Sequence, residues 1–283
     1  MRRVLGAGRH YLQRLGRWVV ILVQLRGASW RDQLKLLGSA AAAPVTSLNG
    51  LTRWQDPVML YDADIVVRGI GRFHVRRRSD DLWHLLPWRE QGVHRTLKQL
   101  LRRGDRFIDA GANIGIYTVL ASRLVGPAGR VVAIEMMPDT AAILRRHVED
   151  NGCANVEIIE RALSDRPGEK VTARVPVGKY GQASIAQAGS GDRQFEEREV
   201  ETVTLDGVCG GIDQIRLMKL DLEGAELKAL AGGGSALERT ETLIYESHTD
   251  SDAIAEAIRE AGFDVAQSLG KDRVAERHPP SAP

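Results

Sequence analysis

Cysteine is scarce in this 283-residue chain: Cys153 and Cys209 stand far apart and show no metal-ligand spacing. That excludes a disulfide framework and a cysteine-based zinc site, and makes a reducing cytoplasm the simplest compartment. Aromatic residues reach only 5%, and the formal net charge is only +2. A base-stacking platform needs aromatics interleaved with cations, so a nucleic acid partner is disfavoured. Long apolar runs are missing too. The stretch Trp18–Leu25 (WVVILVQL), between Arg17 and Arg26, is far shorter than the roughly 20 residues that span a bilayer.

What is present is 43% hydrophobic and 27% charged residues, an ordinary globular composition, with the charge unevenly spread. Residues 1–50 carry eight Arg or Lys against the single acid Asp32, so the remainder is net acidic. Residues 1–50 therefore read as a basic amphipathic helical extension, with peripheral membrane contact through residues 1–35 as one use for it. Ser39–Pro44 (SAAAAP) reads as a linker. Residues 51–104 read as a hairpin around Gly69-Ile70-Gly71 and helices leading into the core.

From residue 105 to 270 short apolar runs alternate with helical periodicity: Arg106–Ala110, Arg130–Ile134, Val156–Glu160, Ile215–Leu220, Thr242–Glu246 and Phe263–Leu269 are the strands. Such alternation predicts an α/β doubly wound, mostly parallel sheet. The stretch Val171–Thr204 interrupts the pattern with two alternating segments around a Gly/Ser/Gln-rich loop, a candidate cover for a cleft. Residues 271–283, closing on two consecutive prolines and Ser-Ala-Pro, read as a disordered tail.

Ligands in open parallel sheets bind outside the carboxyl ends of the strands, so the residues there are the candidates. Phe107–Gly115 (FIDAGANIG) is a strand, a glycine turn and a helix start, with Asp109, Gly111, Asn113 and Gly115 at the expected cleft. Counted from Gly111, the dinucleotide spacing G-x-G-x-x-G fails at Asn113 and Ile116, and no Gly-Lys-Ser/Thr follows, so a pyrophosphate ligand is disfavoured. Glu135 closes the second strand, where a carboxylate accepts ribose hydroxyls. Two acids without fixed cations suit a ligand carrying an ammonium and a sulfonium. Ala162, in Glu160–Asp165 after the third strand, is assigned to the adenine edge. Lys219, Asp221 and Glu223 alternate at the end of the fourth strand, and Tyr245-Glu246-Ser247-His248 closes the fifth. Charges sharing one side of a buried strand are costly unless paired or functional. Asp221 and His248 are the candidate bases and Glu223 the next. Asp221, Glu223, Glu246 and His248 are potential hard ligands, but nothing in the sequence sets their geometry, so no metal is assigned.

The ordered series Asp109–Thr118 (DAGANIGIYT), Glu135, Arg161–Asp165 (RALSD), Ser184, Thr204–Asp206 (TLD), Lys219–Glu226 (KLDLEGAE) and Tyr245–His248 (YESH) resembles the FkbM family of S-adenosylmethionine-dependent methyltransferases. It departs at Met136-Met137-Pro138, where the family more often has proline directly after the acid. The resemblance implies a class I methyltransferase (Rossmann-like) sheet of seven strands, the last pair antiparallel. It also implies S-adenosylmethionine as cofactor and a hydroxyl of a sugar, glycan or secondary metabolite as acceptor. The competing readings are a nucleotide-dependent oxidoreductase, a noncatalytic cofactor-binding module and a nucleic-acid methyltransferase.

Overall fold

The structure, a computed structural model, describes residues 16–48, 57–86, 88–185, 194–246 and 251–278. The chain divides into two compact units, one holding residues up to Arg89 together with Gly178–Gly181, the other Glu90–Val177 and the residues from Gln182 onward.

In the first unit residues 16–24 are helical, and the chain then enters strand β1 (Leu25–Gly27) and the helix Trp30–Leu48. Ser29 caps that helix, its hydroxyl accepting from the Asp32 amide at 3.2 Å. The segment read as a linker, Ser39–Pro44, lies inside this helix. Its alanines are the strongest helix formers, and four in a row outweigh the one backbone bond that Pro44 removes. Strands β2 (Ala63–Val67) and β3 (Gly71–Val75) form the expected hairpin. β1 pairs antiparallel with β2, Leu25 opposite Val67. Among its described residues, the basic N-terminal segment is thus not helix alone. It supplies an edge strand to the hairpin, because an unpaired β2 edge would leave its amides and carbonyls without partners.

The second unit is built on a seven-stranded sheet. Its strands are β4 (Arg106–Ala110), β5 (Arg130–Ile134), β6 (Val156–Ile159), β10 (Ile215–Leu220), β11 (Thr240–Glu246), β12 (Phe263–Leu269) and β13 (Asp272–Arg277), in the order β12-β13-β11-β10-β4-β5-β6. Only β13 runs against its neighbours. The four central strands β4, β5, β10 and β11 are buried on both faces, with Ile108, Val132, Met218 and Leu243 fully enclosed, whereas of the edge strands β6 is half-buried and β12 largely open to solvent. Chain order reverses at β4, which lies between β10 and β5, so the crevice at its carboxyl end is the switch point where such sheets take ligands. A second, three-stranded sheet of β7 (Ala162–Leu163), β8 (Lys170–Pro176) and β9 (Phe195–Val203) interrupts the alternation where the sequence does.

Strand β13 corrects the expectation of a disordered tail from residue 271. Leu269 pairs with Asp272 across the two-residue turn Gly270-Lys271, with Gly270 at φ +87°. A glycine at the first turn position matches the twist of a tight hairpin, and this turn returns the chain into the sheet beside β11. Val274 and Ala275 are buried there. Residues 279–283 lie outside the described residues.

Candidate functional site

The turn after β4 is held by backbone geometry that few residues adopt. Gly111, Asn113 and Gly115 have φ of +78°, +50° and +86°. A Cβ on Gly111 would stand 1.9 Å from the Asp221 carbonyl oxygen, and one on Gly115 would stand 2.3 Å from Leu144 Cδ1. Gly111 is therefore required by close packing against the Asp221 backbone, a reason the sequence does not reveal, and Gly115 is favoured by its left-handed φ. The result is a turn pressed between the ends of β5 and β10. The Gly111 and Ala112 amides donate to the Ile134 carbonyl, and the Asn113 amide donates to Glu135 Oε2 at 2.9 Å.

Glu135 is buried, and its other oxygen, Oε1, accepts from the Met137 amide at 2.9 Å. Two backbone donors, one on each oxygen, hold the carboxylate at the end of β5. The altered turn Met136-Met137 thus preserves the carboxylate by supplying one of those donors. Asp109 is also buried. Thr118 Oγ1 donates to its Oδ2 at 2.6 Å, while Oδ1 has no hydrogen-bond partner among the described residues, nor does Asn113 Oδ1. Burial pushes the Asp109 carboxyl up, against the opposing pull of Lys219 and Thr118.

Sheet register brings the remaining charges together. Asp109 on β4 pairs with Lys219 on β10, and Glu246 on β11 pairs with Asp272 on β13. Lys219, buried under the charges around it, donates to Asp221 Oδ2 at 2.8 Å, and its ammonium lies 5.3 Å from the centre of the Tyr117 ring. Lys271 donates to Glu246 Oε1 at 2.5 Å and lies 3.5 Å from Glu90 Oε1. The Tyr117 hydroxyl donates to Glu90 Oε2. The buried Lys219 ammonium and the more exposed Lys271 ammonium thus face Asp221, Glu246 and Glu90. Burial works against ionised Asp221, but Lys219 and Lys271 outweigh it and keep its carboxyl well below the ordinary range. Burial and the Asp221 charge push Glu246 the other way, upward. Burial and Glu90 raise Asp272 to about 6. Asp221 and Glu246 are neighbouring carboxyls shifted in opposite directions.

Asp221, Glu223 and Glu246 each offer a carboxylate oxygen, all within 4.8 Å of one another. Two of the three already face ammoniums, which balance the charge a divalent cation would otherwise balance. Glu223 sits at φ +50°, and its carbonyl accepts from Ser184 Oγ at 2.7 Å, so the Ser184 segment is tied to the turn after β10. Glu226, by contrast, is structural. Its buried carboxylate accepts from the Leu222 and Gly224 amides and closes that turn. Ala162 is buried in β7 opposite Thr202, where it offers only backbone and a methyl group. His248 lies outside the described residues.

Residues Glu90, Tyr117, Lys271 and Asp272 were not anticipated. Glu90 precedes the core and Lys271 follows it, so nothing local marks them. The one available signal was the glycine turn at Gly270, which would have placed β13 and with it Lys271 and Asp272 at the strand ends.

A sheet of this order with one reversed strand, an acidic glycine turn and a ribose-type carboxylate defines a class I methyltransferase fold. Residues 109–265 match the family model of the methyltransferase FkbM domain, and the chain belongs to that family. The hexuronic acid methyltransferase AglP of Haloferax volcanii is 27% identical over 185 residues, 64% of this chain and 72% of that protein. The AMB antimetabolite synthetase AmbE of Pseudomonas aeruginosa is 28% identical over 206 residues, 56% of this chain but only 9% of that protein. Among solved structures, a Streptococcus mutans methyltransferase in complex with SAH has a TM-score of 0.39 at 16% identity, covering 65% of this chain and 94% of that one. A Clostridium thermocellum rRNA methylase scores 0.42 at 14% identity, covering 65% and 92%.

The protein is an S-adenosylmethionine-dependent methyltransferase. The residues present fit that cofactor. The buried, unsatisfied Asp109 Oδ1 and Asn113 Oδ1 call for donors, Glu135 is oriented to accept, and the turn offers no cation for a pyrophosphate.

Proposed function

We propose that the enzyme methylates a hydroxyl oxygen of a sugar or glycan. The partly buried Asp221 and buried Glu246 beside the nucleoside turn carry the reading, because a hydroxyl acceptor must lose a proton and this pair divides anchoring from proton transfer. AglP, named as a hexuronic acid methyltransferase, makes a hexuronic acid the first acceptor to test. When bound, S-adenosylmethionine supplies an electrophilic methyl group on sulfonium. Asp109, Asn113 and Glu135 hold the cofactor's polar groups, and Gly111 and Gly115 keep the turn in place. Asp221, held low by two ammoniums, is a fixed negative charge and a weak base. Glu246, held high, takes the hydroxyl proton, and Lys271 orients its carboxylate. His248, two residues beyond β11, is the second candidate for that proton. Glu223 and the Ser184 segment border the acceptor.

The test is methyl transfer to a panel of free and nucleotide-linked hexuronic acids and neutral sugars, read by product mass and by the position of the new methyl group. Glu246→Gln should lower kcat by about 10²–10⁴-fold while leaving cofactor binding unchanged. Full turnover in that variant, or a product methylated on nitrogen or carbon, overturns the assignment.

A further inference from the structure

The first unit exposes apolar surface in a pattern that its own fold does not use. The helix over residues 16–24 buries Trp18 and Ile21 but leaves Val19, Val20 and Val23 in solvent, Val23 at 81% exposure. These sit at i, i+1 and i+4, one face of a helix. The helix Trp30–Leu48 likewise buries Leu36, Ser39 and Ala43, while Trp30, Leu34, Leu37 and Val45 form an exposed stripe, Trp30 at 69%. Seven of the eleven large hydrophobic side chains exposed among the described residues therefore fall between residues 19 and 45. Isolated exposed apolar residues are ordinary, but stripes on two successive helices of one unit mark a contact surface.

Charge identifies what it contacts. Residues 1–50 hold eight basic residues and one acid, and the acid, Asp32, is engaged by Ser29 and Lys35. Arg26 and Arg31 are exposed beside the stripes, and the Arg31 guanidinium lies 5.3 Å from the centre of the exposed Trp30 ring. Arg2, Arg3, Arg9 and Arg14 precede them in the sequence. A second copy applying the same surface would set this positive charge against itself. A nucleic acid would leave the aliphatic stripes unused. Apolar stripes flanked by arginine, with a tryptophan at their edge, match the boundary between acyl chains and anionic headgroups. No helix among the described residues is long and apolar enough to cross a membrane.

We propose that this surface docks the enzyme peripherally on an anionic lipid bilayer, with Val23, Trp30 and Leu34 entering the headgroup boundary and the arginines facing lipid phosphates. The inference stands apart from the acceptor assignment, since it concerns the first unit alone.

The test is co-sedimentation of the full-length protein with phosphatidylcholine vesicles, with and without phosphatidylglycerol. Bound protein should rise at least about tenfold with phosphatidylglycerol and fall as salt is raised. The exposed double substitution Val23→Asp/Leu34→Asp should lower binding about tenfold, with the thermal melt and S-adenosylhomocysteine binding unchanged. Absence of pelleting, equal pelleting with both vesicles, or pelleting unaffected by the double substitution overturns the proposal. So does concentration-dependent self-association that the same substitution abolishes while vesicles stay unbound, an outcome that would assign the stripes to a second copy.

Discussion

Replacing Lys219 by methionine keeps most of the side-chain volume but removes one of the two ammoniums that balance the buried carboxyls. The ammonium lies 2.8 Å from Asp221 Oδ2, and its residue pairs with Asp109 across the sheet. At an effective dielectric of about 20, a contact of that length is worth roughly 6 kcal/mol of raw attraction, partly offset by the cost of desolvating both groups. Removing one partner strands the other, so the variant should lose about 3–5 kcal/mol in urea denaturation at pH 7. In the wild type, Asp221 is held low, so its stabilisation is present above the unfolded carboxyl value of 3.8 and fades as pH falls through its lower folded value. Without Lys219 the folded carboxyl rises from its wild-type value, so the penalty is largest at neutral pH and shrinks on acidification. The double variant Lys219→Met/Asp221→Leu should recover much of the loss, because two apolar groups leave no stranded charge. A loss under about 1 kcal/mol that does not vary with pH would refute a tightly coupled buried network.

Two further substitutions probe separate parts of the account. Gly111→Ala places a Cβ against the Asp221 carbonyl at a φ of +78°, and should cost at least about 3 kcal/mol, lowering Tm by roughly 6–12 °C; a shift under about 2 °C would contradict the close approach of the two turns. Asp272, raised from 3.8 to about 6, contributes stability that is full below its unfolded value and lost as pH rises through about 6. Asp272→Asn should therefore gain on the wild type across that window, by up to roughly 3 kcal/mol at pH 8, and a difference flat with pH in denaturation experiments would refute the shift.

Much of the core was legible because its signals are local. Arg106–Ala110 and Ile215–Leu220 are apolar runs that end at a turn, and they form strands β4 and β10 with the bounds read from the sequence. Asp109 and Glu135 could be placed because an acid at a strand's carboxyl end has few structural uses. What escaped depends on pairing. Four of the six residues of Asp272–Arg277 are charged, and its Val274 and Ala275 are too few to announce a strand; only the hairpin turn at Gly270 completes β13. The juxtaposition of Asp109 with Lys219 and of Glu246 with Asp272 follows from sheet order across more than a hundred and more than twenty residues respectively, a non-local property. Likewise Ser39–Pro44 reads as a linker because its residues are small, whereas the structure makes it continuous helix. β1 escaped because a three-residue edge strand is specified by its partner β2 more than by its own sequence.

The claim on which the rest depends is that the turn Asp109–Gly115 and Glu135 hold S-adenosylmethionine. Calorimetric titration of the protein with S-adenosylhomocysteine and, separately, with NADH tests it directly, using the wild type and Glu135→Ala. The account predicts binding of S-adenosylhomocysteine, weakened in the variant by at least about tenfold as two charge-assisted hydrogen bonds are lost, and no binding of NADH. Unchanged affinity in Glu135→Ala, or binding of NADH in place of S-adenosylhomocysteine, would contradict it.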